Sequence, residues 1–157
     1  MKIELIYLKG KTEPWAETAC KELETKISYF FEFNRVEIKA KSEPRSHAKD
    51  KTAAEGQSLL AKISKNDFLI LFDEKGREFS SSVEFSNKLV SLLSGSKNRL
   101  IFAIGGPYGF SQEVLDRAQQ KWSLGRLTMN HHVAQVMAME QIYRALTIWK
   151  GLPYHNA

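Results

Sequence analysis

Two uninterrupted apolar runs, Phe68-Leu69-Ile70-Leu71-Phe72 and Leu100-Ile101-Phe102-Ala103-Ile104, constrain this chain more than any other feature. Each is too short for a buried helix and lacks the alternation of a half-exposed strand, so each predicts a strand covered on both faces. Covering both faces takes helices between the strands, and the remaining sequence supplies them. Ile3 to Leu8 reads as a short strand closed by Lys9-Gly10-Lys11. From Pro14 to Phe31, Trp15, Ala19, Leu23, Ile27 and Phe30 recur at helical spacing, with Thr12 or Glu13 before Pro14 as the start signal. Phe33 to Ala40 alternates as a second strand. Ala53 to Ile63 carries Leu59, Leu60 and Ile63 on one helical side, and Ser81 to Leu93 forms a third helix. Ser111 to Trp122 predicts a fourth helix, Leu124 to Met129 a short strand or an extended loop, and Val133 to Trp149 the last helix. Five strands alternating with five helices predict an α/β fold. Its sheet is mostly parallel with helices on both faces, in one domain over residues 1–157.

Composition narrows the function classes. Of 157 residues, 43% are apolar and 26% charged, which excludes a disordered chain. No apolar run approaches the roughly 20 residues of a membrane span. Met1-Lys2-Ile3-Glu4-Leu5 places an acid inside its first apolar run, unlike a signal peptide. A lone Cys20 excludes an intrachain disulfide framework and a thiolate zinc site. Adjacent His131 and His132 point apart on a helix and are not expected to share a metal. The expectation is therefore a cytoplasmic protein with no membrane and no metal partner. The net charge of +5 permits a polyanionic partner without demanding one. Its one local excess is the stretch Lys39 to Lys51, where Lys39, Lys41, Arg45, Lys49 and Lys51 outnumber Glu43 and Asp50. With Ser42, Pro44 and Ser46 interspersed, this reads as a basic loop, either a solvated connection or a phosphate-contacting arm.

Ligands of open α/β sheets bind beyond the carboxyl ends of the strands, where strand order reverses. That directs attention to Asp73–Phe79, Gly105–Phe110 and Ser123–His132. Ile104-Gly105-Gly106-Pro107-Tyr108-Gly109-Phe110-Ser111 is either a ligand site or a tight strand-to-helix turn, with Ser111 a good N-cap. It matches neither the dinucleotide fingerprint nor a phosphate-binding P-loop. Leu124 to Met129 mixes small and apolar residues, suiting a segment that wraps an uncharged ring or a thioether. The last helix carries Val133, Val136, Met137, Met139, Ile142, Tyr143, Leu146 and Trp149, a stripe wider than one sheet face needs. The excess predicts a homodimer contact. Glu140 and Arg144, four apart, can pair on that helix or serve the site.

Taken together, Ile104-Gly105-Gly106-Pro107-Tyr108-Gly109, Trp122-Ser123-Leu124, Leu127-Thr128, His131, Glu140-Gln141-Ile142-Tyr143-Arg144-Ala145 and Tyr154-His155 resemble the RlmH family of the SPOUT superfamily. Members of this family are pseudouridine N3-methyltransferases of large-subunit (23S) ribosomal RNA. The likeness covers essentially the whole chain. Departures from the family's common pattern are Tyr108 in place of Glu, Asn130 in place of Pro and Gln135 in place of Arg.

The resemblance implies a SPOUT-type α/β fold with a C-terminal deep trefoil knot. It also implies a homodimer that binds S-adenosylmethionine beside the subunit interface and acts on the assembled ribosome. By position it places cofactor contacts at Phe72, Gly105, Leu124, Gly125, Arg126, Leu127, Thr128 and Met129. The same likeness makes His131, Arg144, Tyr154 and His155 the catalytic candidates, with Tyr154 and His155 available from the other subunit. Two rival readings are a SPOUT methyltransferase with another RNA target and a catalytically inactive nucleotide- or RNA-binding module, which Gln135 would favour.

Overall fold

The computed structural model describes residues 1–40 and 47–156. Its elements run β1 (Lys2–Leu8), α1 (Pro14–Ser28), β2 (Phe33–Ile38), α2 (Ala48–Leu60), β3 (Phe68–Arg77), α3 (Ser82–Leu93), β4 (Arg99–Ile104), α4 (Gln112–Arg117), β5 (Gln120–Trp122) and α5 (His131–Trp149). The five strands pair in the order β2-β1-β4-β3-β5, and every pairing is parallel. The two apolar runs therefore lie side by side at the centre, with Phe68 to Phe72 in register with Leu100 to Ile104.

Strand alternation sends side chains into two cores. Leu5, Ile70, Phe72, Phe102 and Trp122 pack under α1, α3 and α5. Ile6, Leu69, Leu71, Ile101 and Ala103 pack under α2 and α4 on the other face. Trp122 is fully buried among Phe79, Phe85 and Phe102, with ring centroids 5.0, 5.1 and 5.7 Å away. The second core is thinner, and there α2 crosses α4 through Gly56. A methyl group at Gly56 would overlap Ser111 Oγ, so this crossing needs the bare backbone. At the amino ends of the strands, Arg99 donates to Glu4 at 2.9 Å and to Asp67 at 2.5 and 3.0 Å. That network ties β1, β4 and the approach to β3 together on the side away from the loops.

Several boundaries differ from the sequence-based expectations. The helix expected from Ser111 to Trp122 stops at Arg117. Leu115, Ala118 and Trp122 keep helical spacing, but the Arg117 guanidinium donates to the Ser64 and Asp67 carbonyls. Gln119 is bound to Leu69 through its backbone N–H (2.9 Å) and its side-chain oxygen (2.7 Å). These contacts turn the chain into β5, and residues 124–129 form the extended loop rather than a strand. β3 continues past Phe72 to Arg77 with a register shift opposite Trp122, a close approach that Gly76 permits. Trp15 does not join the buried stripe of α1: it is 54% exposed, while Ala16, Cys20 and Ile27 are buried. The basic stretch is a loop only in part, since Lys49 and Lys51 belong to α2, where Asp50 in the first turn complements the helix dipole. Its centre, residues 41–46, lies outside the described residues. Among the described residues no helix is long and apolar enough to cross a membrane.

Candidate active site

Strand order places two clefts at the carboxyl edge. From β1 the chain crosses outward to β2, and from β4 it crosses outward the other way to β5, so the reversal falls between β1 and β4. One cleft, of about 460 Å³, opens there; the other, of about 410 Å³, lies beyond β3 and β4. The Gly105-Gly106-Pro107 turn and His131 line both.

The cleft beyond β3 and β4 has a rigid apolar floor, Phe72 stacked on Phe102 at 5.2 Å. Its roof is the 124–129 loop. Ser123 Oγ fastens the start of that loop, accepting from Gly125 N–H at 3.1 Å and donating to Gly125 O at 2.9 Å. Gly125 has φ +146, a left-handed backbone that other residues rarely adopt. Across the cleft, Gly105 lies under the Phe110 ring, where a Cβ would come within 3.1 Å. Gly109, at φ +78, closes the turn with an N–H bond to Gly106 O of 3.1 Å. The glycine motif is thus both a tight turn and a cleft wall. Asp73 and Glu74 line this cleft, and no Lys or Arg among the described residues does. A partly apolar, acid-flanked cavity of this size fits a cation with an apolar body and offers a phosphate no Lys or Arg among the described residues.

Of the residues expected to contact a cofactor, Phe72, Gly105, Leu124 and Gly125 line this cleft, as do Leu127, Thr128 and Met129. Arg126 does not. It is exposed and paired with Glu78 at 2.5 Å, beside α3.

The catalytic candidates fall into two places. His131 opens α5 at the junction of the clefts, behind the N-cap of Asn130, whose side chain accepts from His132 N–H at 2.8 Å. Its Nε2 is buried without a hydrogen-bond partner among the described residues. Burial, and then the neighbouring His132, hold the His131 imidazole below the ordinary histidine range. The two rings do not diverge as expected: their centroids lie 4.1 Å apart. Arg144 lies thirteen residues further along α5, about 20 Å away at about 1.5 Å of rise per residue. There Arg144 Nη2 donates to Glu140 Oε1 at 2.6 Å, Tyr154 Oη donates to the same oxygen at 2.9 Å, and His155 Nδ1 lies 3.3 Å from Arg144 Nη1. Burial, and then the Glu140 carboxylate, push the Tyr154 phenol up. Within one subunit, then, the structure brings Arg144, Tyr154 and His155 together and sets them apart from His131.

Sequence reasoning marked Lys39 and Lys51 as part of a basic stretch and Gln135 as a departure, but missed Lys9, Gly10 and Glu55 and the β1/β4 cleft that gathers them all. Lys9 and Gly10 follow β1, Lys39 follows β2, and Lys51 and Glu55 come from α2, facing Gln135 of α5. The signal available was the placement of Lys9-Gly10 at the end of a buried strand; nothing in the sequence marks Glu55.

A three-layer α/β/α sheet, all parallel, with a glycine-turn cleft roofed by the segment before the last helix, agrees with a SPOUT-type methyltransferase, and comparison with known families shows that class. The family described as "Predicted SPOUT methyltransferase" matches residues 1–155. Ribosomal RNA large subunit methyltransferase H of Bdellovibrio bacteriovorus is 43% identical over 156 residues, covering 99% of each chain. Its namesake in Christiangramia forsetii is 38% identical over 165 residues, again with 99% of each chain covered. Among solved structures, a probable methylase family protein from Haemophilus influenzae superposes with a TM-score of 0.52 at 10% identity, covering 95% of this chain and 66% of that one, a likeness of fold. The chain belongs to the SPOUT methyltransferase family, in the branch of the large-subunit ribosomal RNA methyltransferases H.

Proposed function

We propose that the protein is a cytoplasmic homodimer that methylates N3 of a pseudouridine in large-subunit (23S) ribosomal RNA, on the assembled ribosome, using S-adenosylmethionine. The observation that carries this reading is the opposite electrostatic character of two clefts that meet at His131. The acid-flanked cleft suits a sulfonium, and the lysine-lined cleft suits a nucleotide. When bound, S-adenosylmethionine would supply an electrophilic methyl group on sulfur for transfer to N3, with the S–C bond broken, the N–C bond formed and the N3 proton passed to a base. Phe72, Leu124 and Met129 would hold the apolar parts of the cofactor, and the backbone of residues 124–129 its polar edges. Asp73 and Glu74 would face its positive charge.

His131 would take the proton. Burial and the neighbouring His132 hold its imidazole below the ordinary histidine range, and it lines both clefts. Holding two reactants in line supplies much of the acceleration such a transfer needs. Arg144, Tyr154 and His155, about 20 Å along α5 by helical rise, would serve this site from the partner subunit, where a cation favours the deprotonated base. Val133 (42% exposed), Trp149 (41%) and Leu152 (45%), on α5 and just beyond it, support the pairing this requires. The single domain over residues 1–157 and the knotted path of its C-terminal segments follow from the same reading. Mass spectrometry of ribosomal RNA from a deletion strain tests it: the N3-methylpseudouridine should be lost and restored by the wild-type gene. An unchanged modification would refute the assignment.

A further inference from the structure

The β1/β4 cleft carries a group that cofactor binding does not use. A methyl group built on Gly106 would lie 2.8 Å from Glu55 Oε2 and 2.9 Å from Oε1, so the Glu55 carboxylate rests on the glycine backbone beside Leu8. Glu55 is half-buried. Burial holds its carboxyl above the ordinary range, and the nearby Lys51 pulls the other way. Among the described residues it makes no hydrogen bond and no ion pair. A half-buried carboxylate that lines a cleft is available to accept hydrogen bonds from a ligand seated there. The surroundings say which ligand. Lys9, Lys39 and Lys51 line the same cleft, and at about 460 Å³ it is of a size to hold a base and its ribose. It also shares the Gly105-Gly106-Pro107 wall and His131 with the cofactor cleft, so a base seated here has one edge at the methyl donor.

An ionised carboxylate only accepts hydrogen bonds. The uracil ring offers few N–H donors: N3–H, which is the reacting position, and N1–H, which exists only when the ring is joined to ribose through C5. In uridine, N1 carries the sugar and has no hydrogen. We propose that the β1/β4 cleft seats the target nucleotide, with Lys9, Lys39 and Lys51 holding its backbone phosphates and the Glu55 carboxylate accepting the pseudouridine N1–H. Glu55 thereby selects pseudouridine over uridine. This rests on the methyltransferase reading above and adds a specificity residue to it.

The test uses the full-length dimer and two ribosome preparations, one with pseudouridine at the target and one with uridine there, taken from cells lacking the enzyme that isomerises it. Single-turnover methylation and ribosome affinity are measured on both. In E55A the preference for pseudouridine over uridine should fall about ten- to a hundredfold, the worth of one hydrogen bond to a charged group. E55Q keeps an acceptor oxygen and should fall in between. Calorimetry with S-adenosylmethionine reports whether each variant remains folded. The K9A/K39A/K51A variant should bind both ribosomes more weakly, with a shallower dependence of log affinity on log salt, by about 0.7–0.9 for each phosphate that is no longer neutralised. An unchanged preference in E55A, or an equal loss on both ribosomes, would overturn the role of Glu55. Unaltered ribosome binding by the lysine variant would overturn the seat itself. If the wild-type protein binds S-adenosylmethionine but methylates neither ribosome, the proposed reaction fails, and the affinities for the two ribosomes still decide whether the cleft reads N1–H.

Discussion

The imidazole of His131 rests on the backbone of Gly10, so closely that a methyl group at Gly10 would lie 2.7 Å from Nε2 and 3.3 Å from Cε1. The end of β1 therefore sets the position of the one histidine that lines both clefts. Gly10→Ala would push the ring out of that seat. Gly10 is exposed and the obstacle is a side chain, so stability should change by less than about 1 kcal/mol. A displacement on the order of 1 Å costs about a hundredfold where alignment sets the rate. The expected result is a methyl-transfer rate lowered about ten- to a hundredfold with a near-normal melting temperature, read from single-turnover assays beside thermal unfolding.

Burial and His132 together lower the His131 pKa, so the neutral imidazole persists below the ordinary midpoint of 6.5. If that imidazole accepts the N3 proton, the rate at saturating cofactor should stay flat as pH falls to about 6.5 and decline only below it. Stability has its own signature. Below about 6.5 the unfolded chain takes up this proton before the folded one does, so stability falls with pH until the folded-state pKa has also been passed. His131→Gln removes that contribution. Urea titrations at several pH values should show a shallower loss of stability on the acid side in the variant than in the wild type.

Arg99 neutralises two carboxylates beneath the sheet: the Asp67 side chain is 1% exposed and that of Glu4 9%. Burial pushes the Asp67 carboxyl up, but hydrogen bonds from Arg99 and from the Ser64 N–H outweigh it and leave the group below its ordinary value. Asp67 therefore contributes stability above the usual carboxyl range, and that contribution is lost as pH falls through its depressed folded value. Arg99→Met strands both carboxylates and should cost about 3–5 kcal/mol. At this chain length that corresponds to a melting temperature lower by about 6–20 °C. A variant within 1 kcal/mol of the wild type would mean that water or relaxation replaces the arginine.

What the sequence discloses of this fold follows from how far each signal is local. Phe68–Phe72 and Leu100–Ile104 announce central strands because a strand with no polar side tolerates no exposed face. β5 is hidden. Leu115, Ala118 and Trp122 imitate a helix, and only the Arg117 guanidinium and the Gln119 backbone N–H, reaching the Asp67 and Leu69 carbonyls fifty residues back in the chain, decide otherwise. The cleft beyond β3 and β4 is legible because Gly105 and the 124–129 segment combine small residues with a position after buried strands. Arg126 shares that segment, yet its long side chain finds Glu78 outside the cleft. Glu55 is illegible, since one glutamate on an amphipathic helix looks like any other until β4 brings Gly106 beneath it. The distance from His131 to Arg144 is implicit in the rise of α5. That Glu140, Arg144, Tyr154 and His155 form one cluster away from both clefts becomes apparent only in the fold.

That separation makes a sharp genetic prediction. If Arg144 serves the partner's site, a dimer of one His131→Ala subunit and one Arg144→Ala subunit contains one site with both defects and one site with neither. Each homodimer should be nearly inactive, while the mixed dimer, purified through two different tags, should recover about half of the wild-type rate per dimer. Were each site built within a single subunit, both sites of the mixed dimer would carry one defect and no activity would return. Arg144→Ala also releases Glu140 and Tyr154 from their shared hydrogen bonds, so Arg144→Lys is the matching control. It keeps the charge but lacks the planar fork that spans Glu140 and His155, and it should restore only part of the rate to its homodimer. Recovery in the mixed dimer, with loss in both parents, would place His131 and Arg144 at one composite site.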